Sequence, residues 1–275
     1  MTLENVHITF VGGGIMAEAI IRGLLRRQLA ASQMIVVSDP VAERRAHLAE
    51  NLHVRTMASN LEALAEAQIV VLAIKPQALG QVLAELKGNL PAEILLLSII
   101  AGAKIETLRQ GLGCANIVRI LPNTPGQVGE GISVWTATPE TPAPRREQAR
   151  EIIAALGEEI FVTDEHYLDM ATALSGSGPA YVFLFIEALT DAGVQMGLAR
   201  PIAEKLALQT VKGSAIFAQQ TGTHPAILRN MVTSPGGTTA AALYELEQGQ
   251  LRATIARAVL AAFERAKYLG RLGNQ

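Results

Sequence analysis

Three runs of small residues carry the chemistry available to this sequence. Gly12-Gly13-Gly14-Ile15-Met16-Ala17 follows the apolar run His7–Val11 and reads as G-x-G-x-x-A, with Gly12, Gly14 and Ala17 at the defining positions. In that pattern the first glycine permits a tight turn and the second lets backbone approach a pyrophosphate, while the small third residue lets the helix lie close on the strand. The free N–H groups at the helix start, at Ile15 and Met16, then face the anion. The other two runs, Ser175-Gly176-Ser177-Gly178-Pro179-Ala180-Tyr181 and Thr233-Ser234-Pro235-Gly236-Gly237-Thr238-Thr239, read as loops joining helices. Backbone N–H groups and hydroxyls gathered this densely make an anion nest, suited to a carboxylate above all where Thr238 and Thr239 open a helix. Ser177 is no nucleophile elbow, because G-x-S-x-G would need glycine where Ser175 and Pro179 stand.

Further polar groups follow strand ends, in Ala73-Ile74-Lys75-Pro76-Gln77, Ser98-Ile99-Ile100-Ala101-Gly102 and Arg119-Ile120-Leu121-Pro122-Asn123-Thr124-Pro125. In an open α/β sheet, ligands bind outside the carboxyl ends of the strands, so these loops lie on the ligand edge. Lys75 and Asn123 are the side chains placed to meet a cofactor there. Asp39 closes the second strand about 25 positions past Gly14, where an acid can accept from a ribose 2′-hydroxyl and favour NAD. Ser38, Arg44, Arg45 and Asn60 would instead suit a 2′-phosphate, and the spacing leaves the two coenzymes open.

The elements that must position these groups fall into two regimes. Up to residue 164, strand candidates (His7–Val11, Met34–Ser38, Ile69–Ile74, Ile94–Ile99, Ile117–Leu121, Ile132–Trp135, Glu159–Val162) alternate with amphipathic helices. Several strands are apolar at consecutive positions, as in a parallel sheet buried on both faces. The alternation predicts a doubly wound α/β sheet of Rossmann type over 1–164. Thr136–Pro144 reads as a surface loop within it. From 165 to 275 the strand signal disappears, and an all-helical domain is expected. Its segments are Glu165–Leu174, Tyr181–Met196, Pro201–Gln219, Pro225–Val232, Thr239–Gln248 and Leu251–Leu269. Tyr181–Met196 is apolar nearly all round, and about 110 residues of helix offer little interior to hide it, which points to a subunit interface.

Composition narrows the function classes. The 275 residues are 49% hydrophobic and 17% charged with net charge −2, which excludes a disordered chain and leaves no global field for nucleic acid. Cys114 is the single cysteine, so neither an intrachain disulfide nor a Cys-based zinc site is available, and the scattered histidines predict no metal. The start MTLENVHITF lacks a signal peptide's pattern, and Ser175–Pro179 interrupts the apolar stretch Met170–Ile186. A soluble cytoplasmic protein without membrane partners is expected.

Taken together, Gly12–Ala17, AIKPQ at 73–77, RILPNTP at 119–125, SGSGPAY at 175–181 and TSPGGTT at 233–239 resemble the pyrroline-5-carboxylate reductase family over nearly the whole chain. The resemblance implies an N-terminal Rossmann domain, a helical dimerisation domain, and a homodimer often built into a decamer. It implies NAD(P)H-dependent reduction of Δ1-pyrroline-5-carboxylate, a cyclic imino acid, to L-proline, with NADP(H) or NAD(H) as cofactor. By position, Ser38 and Asn60 match residues that meet the adenosine phosphate. Ala73, Lys75 and the Ala101-Gly102 turn match those near the nicotinamide ribose, and Pro76 beside them is expected to line the cofactor. Glu165, Ser234, Gly237, Thr238 and Thr239 match substrate-binding positions, with Ser177 in the first small-residue run beside them. In this scheme the Gly236–Thr238 backbone takes the carboxylate, the Thr239 hydroxyl meets the ring nitrogen, and Glu165 orients. A β-hydroxyacid dehydrogenase would need Lys and Asn at positions held by Val182 and Phe185. A non-catalytic dinucleotide sensor would leave both carboxylate-suited runs unexplained.

Overall fold

Runs such as Ile69-Val70-Val71-Leu72 leave no polar face for water, so the sheet they build must be covered on both sides. The computed structural model of the chain describes residues 3–91 and 93–272. In chain order the elements are β1 (Ile8–Val11), α1 (Ile15–Arg26), β2 (Ile35–Ser38), α2 (Ala42–Leu52), β3 (Arg55–Met57), α3 (Asn60–Ala63), β4 (Ile69–Leu72), α4 (Leu79–Leu86), β5 (Leu95–Ser98), α5 (Ile105–Leu112) and β6 (Ile117–Leu121). They continue with β7 (Gly131–Ala137), α6 (Ala143–Ala154), β8 (Gly157–Phe161), α7 (His166–Ala171), α8 (Gly178–Gln195), α9 (Arg200–Thr221), α10 (Pro225–Met231), α11 (Thr238–Gln248) and α12 (Leu251–Leu272).

Among the described residues the strands form one eight-stranded sheet in the order β3-β2-β1-β4-β5-β6-β7-β8. All neighbours are parallel except β6 and β7. The link between those two, residues 122–130, is too short for a crossover helix, so the chain can only turn back on itself. One cluster of buried side chains, including Ile8, Phe10, Ile21, Leu24 and Ile153, covers one face. A second, including Val70, Leu72, Leu86, Ile94 and Leu108, covers the other. Each fully buried large apolar side chain contributes about 1.5–3 kcal/mol. The chain leaves β1 toward β2 and β3, then returns to β4 on the other side, so the topological switch point lies between β1 and β4.

Three expectations need correction. Arg55-Thr56-Met57 is a strand the hydrophobic pattern could not reveal, because an edge strand paired only with β2 needs no apolar run. Thr136–Pro144 is not a free surface loop: Thr136, Thr138 and Thr141 are buried. The Thr138 hydroxyl donates to Ala115 O at 2.7 Å and accepts from Ile117 N–H at 3.1 Å. The third correction concerns Ser175–Pro179, which does not break the helix. A π turn spans Thr172–Gly176, closed by Ser177 N–H on Thr172 O at 2.8 Å, and α8 starts at Gly178. The stretch His166–Gln195 is therefore helical over 30 residues, long and apolar enough by length and composition to cross a membrane.

Two compact units emerge. The first runs to Ser177 and takes in the chain from Ala262 onward; the second is Gly178–Ala261. In the first, α7 packs on the sheet through fully buried Leu168 against Leu121 and Val134. In the second, α8 and α9 approach through small residues, since a Cβ on Gly193 would stand 3.0 Å from that of Ala203. The apolar side chains of α8 are not enclosed by this unit: Phe183 is 59% and Leu184 66% exposed.

Candidate functional sites: a dinucleotide turn and two small-residue segments

The glycine turn forms at the switch point. Gly12 has φ +95°, and a Cβ there would stand 2.7 Å from Ala73 O, so the backbone after β1 touches the backbone after β4. Its N–H donates to Ser38 O at 2.8 Å, which ties the turn to the end of β2 as well. Gly14 is the exposed N-cap of α1, and around a Cβ there the nearest atom is Ala73 O at 3.9 Å, leaving the outer side open. The helical ladder begins with Glu18 N–H on Gly14 O, so the amides of Ile15, Met16 and Ala17 lie outside it. An open cradle with outward amides fits a pyrophosphate.

The groups at the end of β2 are more engaged than their residue types suggest. The Asp39 carboxylate accepts Gly13 N–H at 2.8 Å and Val41 N–H at 2.9 Å, pinning the turn. From the opposite side Arg44 donates to the carbonyls of Gly13 and Gly14 and to Glu18. Arg45 donates to the carbonyls of Asp39 and Pro40. Ser38 is fully buried, its hydroxyl donating to Asn60 Oδ1 at 2.7 Å, and Asn60 Nδ2 donates to Glu85 at 2.8 Å. Lys75 and Ala101 are exposed, Ala73 is half-buried, and Pro76 begins a short 3-10 turn. Gly102 turns with φ +78° beside Gly270.

Glu18 anchors this clamp. Its burial disfavours the charge, but hydrogen bonds from Arg22, Arg44 and His47 outweigh that and hold its carboxyl at about 2. A pKa depressed on folding contributes stability above the ordinary carboxylate range, lost as pH falls toward the folded value. Glu18→Gln is expected to cost about 1–2 kcal/mol at pH 7, after solvent screening, and almost nothing near pH 2. Urea melts at both pH values check this; an equal cost at both would deny the linkage.

Glu165 sits where sequence reading did not anticipate. Its Oε1 accepts from Arg119 Nη1 at 2.7 Å and from Ile105 N–H, at the start of α5, at 2.9 Å. Arg119 Nη2 also reaches Asp169 Oδ1 at 3.4 Å. Arg119 is 3% exposed, in the middle of β6. A charged side chain inside Ile117-Val118-Arg119-Ile120-Leu121 was the available signal, since such a group is not buried without a partner. Glu165 also lines a cavity of about 250 Å³ with Ile105, Arg109, Thr138 and Thr163. Asn123 is engaged at both ends of its amide, donating to Ser175 O at 3.2 Å and accepting Ile132 N–H at 2.9 Å. Ser177 lies half-buried at the end of the π turn.

In the second unit, Thr233–Gly237 forms a turn closed by Gly237 N–H on Ser234 O at 3.1 Å. Gly236 has φ +68°, Gly237 is the N-cap of α11, and Thr238 and Thr239 are its first residues. The ladder starts with Ala241 N–H on Gly237 O, so the amides of Thr238 to Ala240 lie outside it. A Cβ on Gly237 would meet Ser234 Oγ at 2.4 Å, so glycine lets the Ser234 hydroxyl close over the turn. Among the described residues no group of three or more His, Cys, Asp or Glu is arranged to hold a metal.

A switch-point glycine turn on this sheet defines a dinucleotide-binding protein of Rossmann type. Residues 165–269 match the family model for pyrroline-5-carboxylate reductase dimerisation, and residues 7–102 match that for NADP oxidoreductase, coenzyme F420-dependent. A pyrroline-5-carboxylate reductase of Synechocystis is 42% identical over 269 residues, spanning 97% of this chain and 99% of the relative. The solved Coxiella burnetii pyrroline-5-carboxylate reductase superposes with TM-score 0.90 at 39% identity, over 97% of this chain and 99% of that one. The Plasmodium falciparum pyrroline carboxylate reductase, solved with NADP bound, gives TM-score 0.88 at 35% identity, over 98% and 99%. The chain belongs to the pyrroline-5-carboxylate reductase family.

Proposed function

We propose that this chain reduces Δ1-pyrroline-5-carboxylate to L-proline with NAD(P)H, the last step of proline biosynthesis. The observation that carries this reading is the open glycine turn at the switch point of a chain belonging to this family. When bound, the reduced nicotinamide supplies the hydride that adds to the C=N carbon. A protonated cyclic imine is already electrophilic, so the protein's part is to bind, orient and exclude water. In this reading the Gly12–Met16 turn holds the pyrophosphate, with Ser38 and Asn60 on the adenosine side. Ala73, Lys75, Pro76 and the Ala101-Gly102 turn lie on the nicotinamide side. The carboxylate goes to the amides at the start of α11, around Gly236–Thr238, which a helix N-terminus favours. Ser234 and Ser177 add hydroxyls, Thr239 meets the ring nitrogen, and Glu165 orients the substrate electrostatically.

Thr239→Ala is expected to slow hydride transfer by one to three orders of magnitude, about 1–4 kcal/mol. Single-turnover rates equal to the parent's would remove Thr239 from the mechanism. Consumption of NADPH and NADH, followed in parallel with Δ1-pyrroline-5-carboxylate, tests the whole reading, which fails if neither is oxidised.

The same reading assigns residues 1–164 to dinucleotide binding and 165–275 to substrate and dimerisation. It makes the active form a cytoplasmic homo-oligomer, either the dimer itself or a decamer built from dimers. The exposed apolar side chains of α8, Val182 to Phe185, support an interface there, because monomers rarely leave so large a patch in water.

A further inference from the structure

The segment from Glu165 to Ser177 is tied to β6 at two places by polar side chains. Arg119 grips its start, through Glu165 at 2.7 Å and Asp169 at 3.4 Å. Asn123, two residues past β6, grips its end by donating to Ser175 O at 3.2 Å, while its own Oδ1 is held by Ile132 N–H at 2.9 Å. Between the anchors Leu168 is fully buried against Leu121 and Val134, so the segment is pinned at three points along its length. A buried guanidinium facing two carboxylates is costly to assemble, and its fork holds both carboxylates in a fixed geometry. The π turn over Thr172–Gly176 is another local departure from the regular ladder, of a kind frequent at functional sites. From outside the turn, the Asn123 amide reaches one of its backbone carbonyls, Ser175 O.

We propose that Arg119 and Asn123 are positioning residues for the imino-acid side of the reaction, fixing the Glu165 carboxylate and the π turn that ends at Ser177 in one geometry. The proposal rests on the reading of Glu165 and Ser177 as substrate residues. It differs from the sequence expectation for Asn123, which faced that side chain toward the cofactor. An anchored carboxylate matters because a displacement of about 1 Å in a catalytic constellation can cost about a hundredfold in rate.

The test uses the full-length protein and reads coenzyme and imino acid separately. Asn123→Ala is expected to leave the NADPH dissociation constant, from fluorescence titration, within about twofold of the parent, while kcat/KM for Δ1-pyrroline-5-carboxylate falls about ten- to a hundredfold. Arg119→Lys, which keeps the charge but loses the planar fork, is expected to show the same split. Placed in a Glu165→Gln background, it should add less than about threefold, because the two residues act as one unit. A tenfold rise in the NADPH constant for Asn123→Ala with an unchanged imino-acid KM would make Asn123 a cofactor ligand and overturn the proposal. So would parent-like kinetics in both single variants, or fully additive losses in the double one. Parent-like kinetics for Glu165→Gln alone would instead remove the reading beneath it. If Arg119→Lys fails to fold, Asn123→Ala, which disturbs no charge, decides the matter.

Discussion

Gly12→Ala is expected to weaken NADPH binding about a hundredfold, the equivalent of about 2.7 kcal/mol. A Cβ there would stand 2.7 Å from Ala73 O, 2.9 Å from Ala73 C and 2.9 Å from Ile74 Cγ2. Two of those atoms are backbone at the end of β4 and cannot swing aside as a side-chain tip would. The φ of +95° adds strain that only glycine escapes. The carboxyl ends of β1 and β4 would have to part, which distorts the cradle itself, and overpacking of this kind costs about 1–3 kcal/mol before any ligand arrives. Gly14→Ala is the control: with the nearest atom 3.9 Å from its Cβ, the free protein should melt close to the parent. Any loss of affinity there would come from the ligand's side of the turn. Fluorescence titration together with thermal melting separates the two cases, and parent-like NADPH affinity in Gly12→Ala would refute the steric argument.

Arg119→Met is expected to destabilise the protein by about 3–5 kcal/mol, because it takes the cation from two part-buried carboxylates. The side chains of Glu165 and Asp169 are 28% and 14% exposed, against 4% for that of Arg119, so water reaches them only partly. For a chain of this size the loss corresponds to a fall of about 6–20 °C in Tm. Replacing all three charges, as Arg119→Met with Glu165→Gln and Asp169→Asn, should restore much of it, since the largest penalty is the unpaired charge rather than the absent bridge. A single variant melting within a degree or two of the parent would show that solvent already neutralises the pair.

The α/β half was readable because burial on both faces writes itself into consecutive apolar residues, as in Ile69–Leu72 and Leu95–Ser98. The glycine turn was readable for a related reason: a backbone contact such as Gly12 on Ala73 tolerates no side chain, so the residue type reports the geometry. Less legible are the partners of residues whose type permits several. The Asp39 carboxylate holds the Gly13 and Val41 amides, contacts that its spacing from Gly14 does not reveal. The Ser38 hydroxyl, fully buried, donates to Asn60 Oδ1, a pairing that residue type alone does not specify. The Ser175–Pro179 run looked like a loop, yet the hydroxyls of Thr172 and Ser175 donate to carbonyls four residues back, and the chain stays helical.

The amino-acid order by itself determined most of the strands and helices, the doubly wound sheet, the dinucleotide turn and the small-residue start of α11, since each follows from local periodicity or from positions where a side chain cannot fit. Tertiary structure alone decided which polar groups meet. The pairing of Arg119 with Glu165 and Asp169, separated by 46 and 50 positions, depends on how α7 lies on β6 and on which charges share a low-dielectric space.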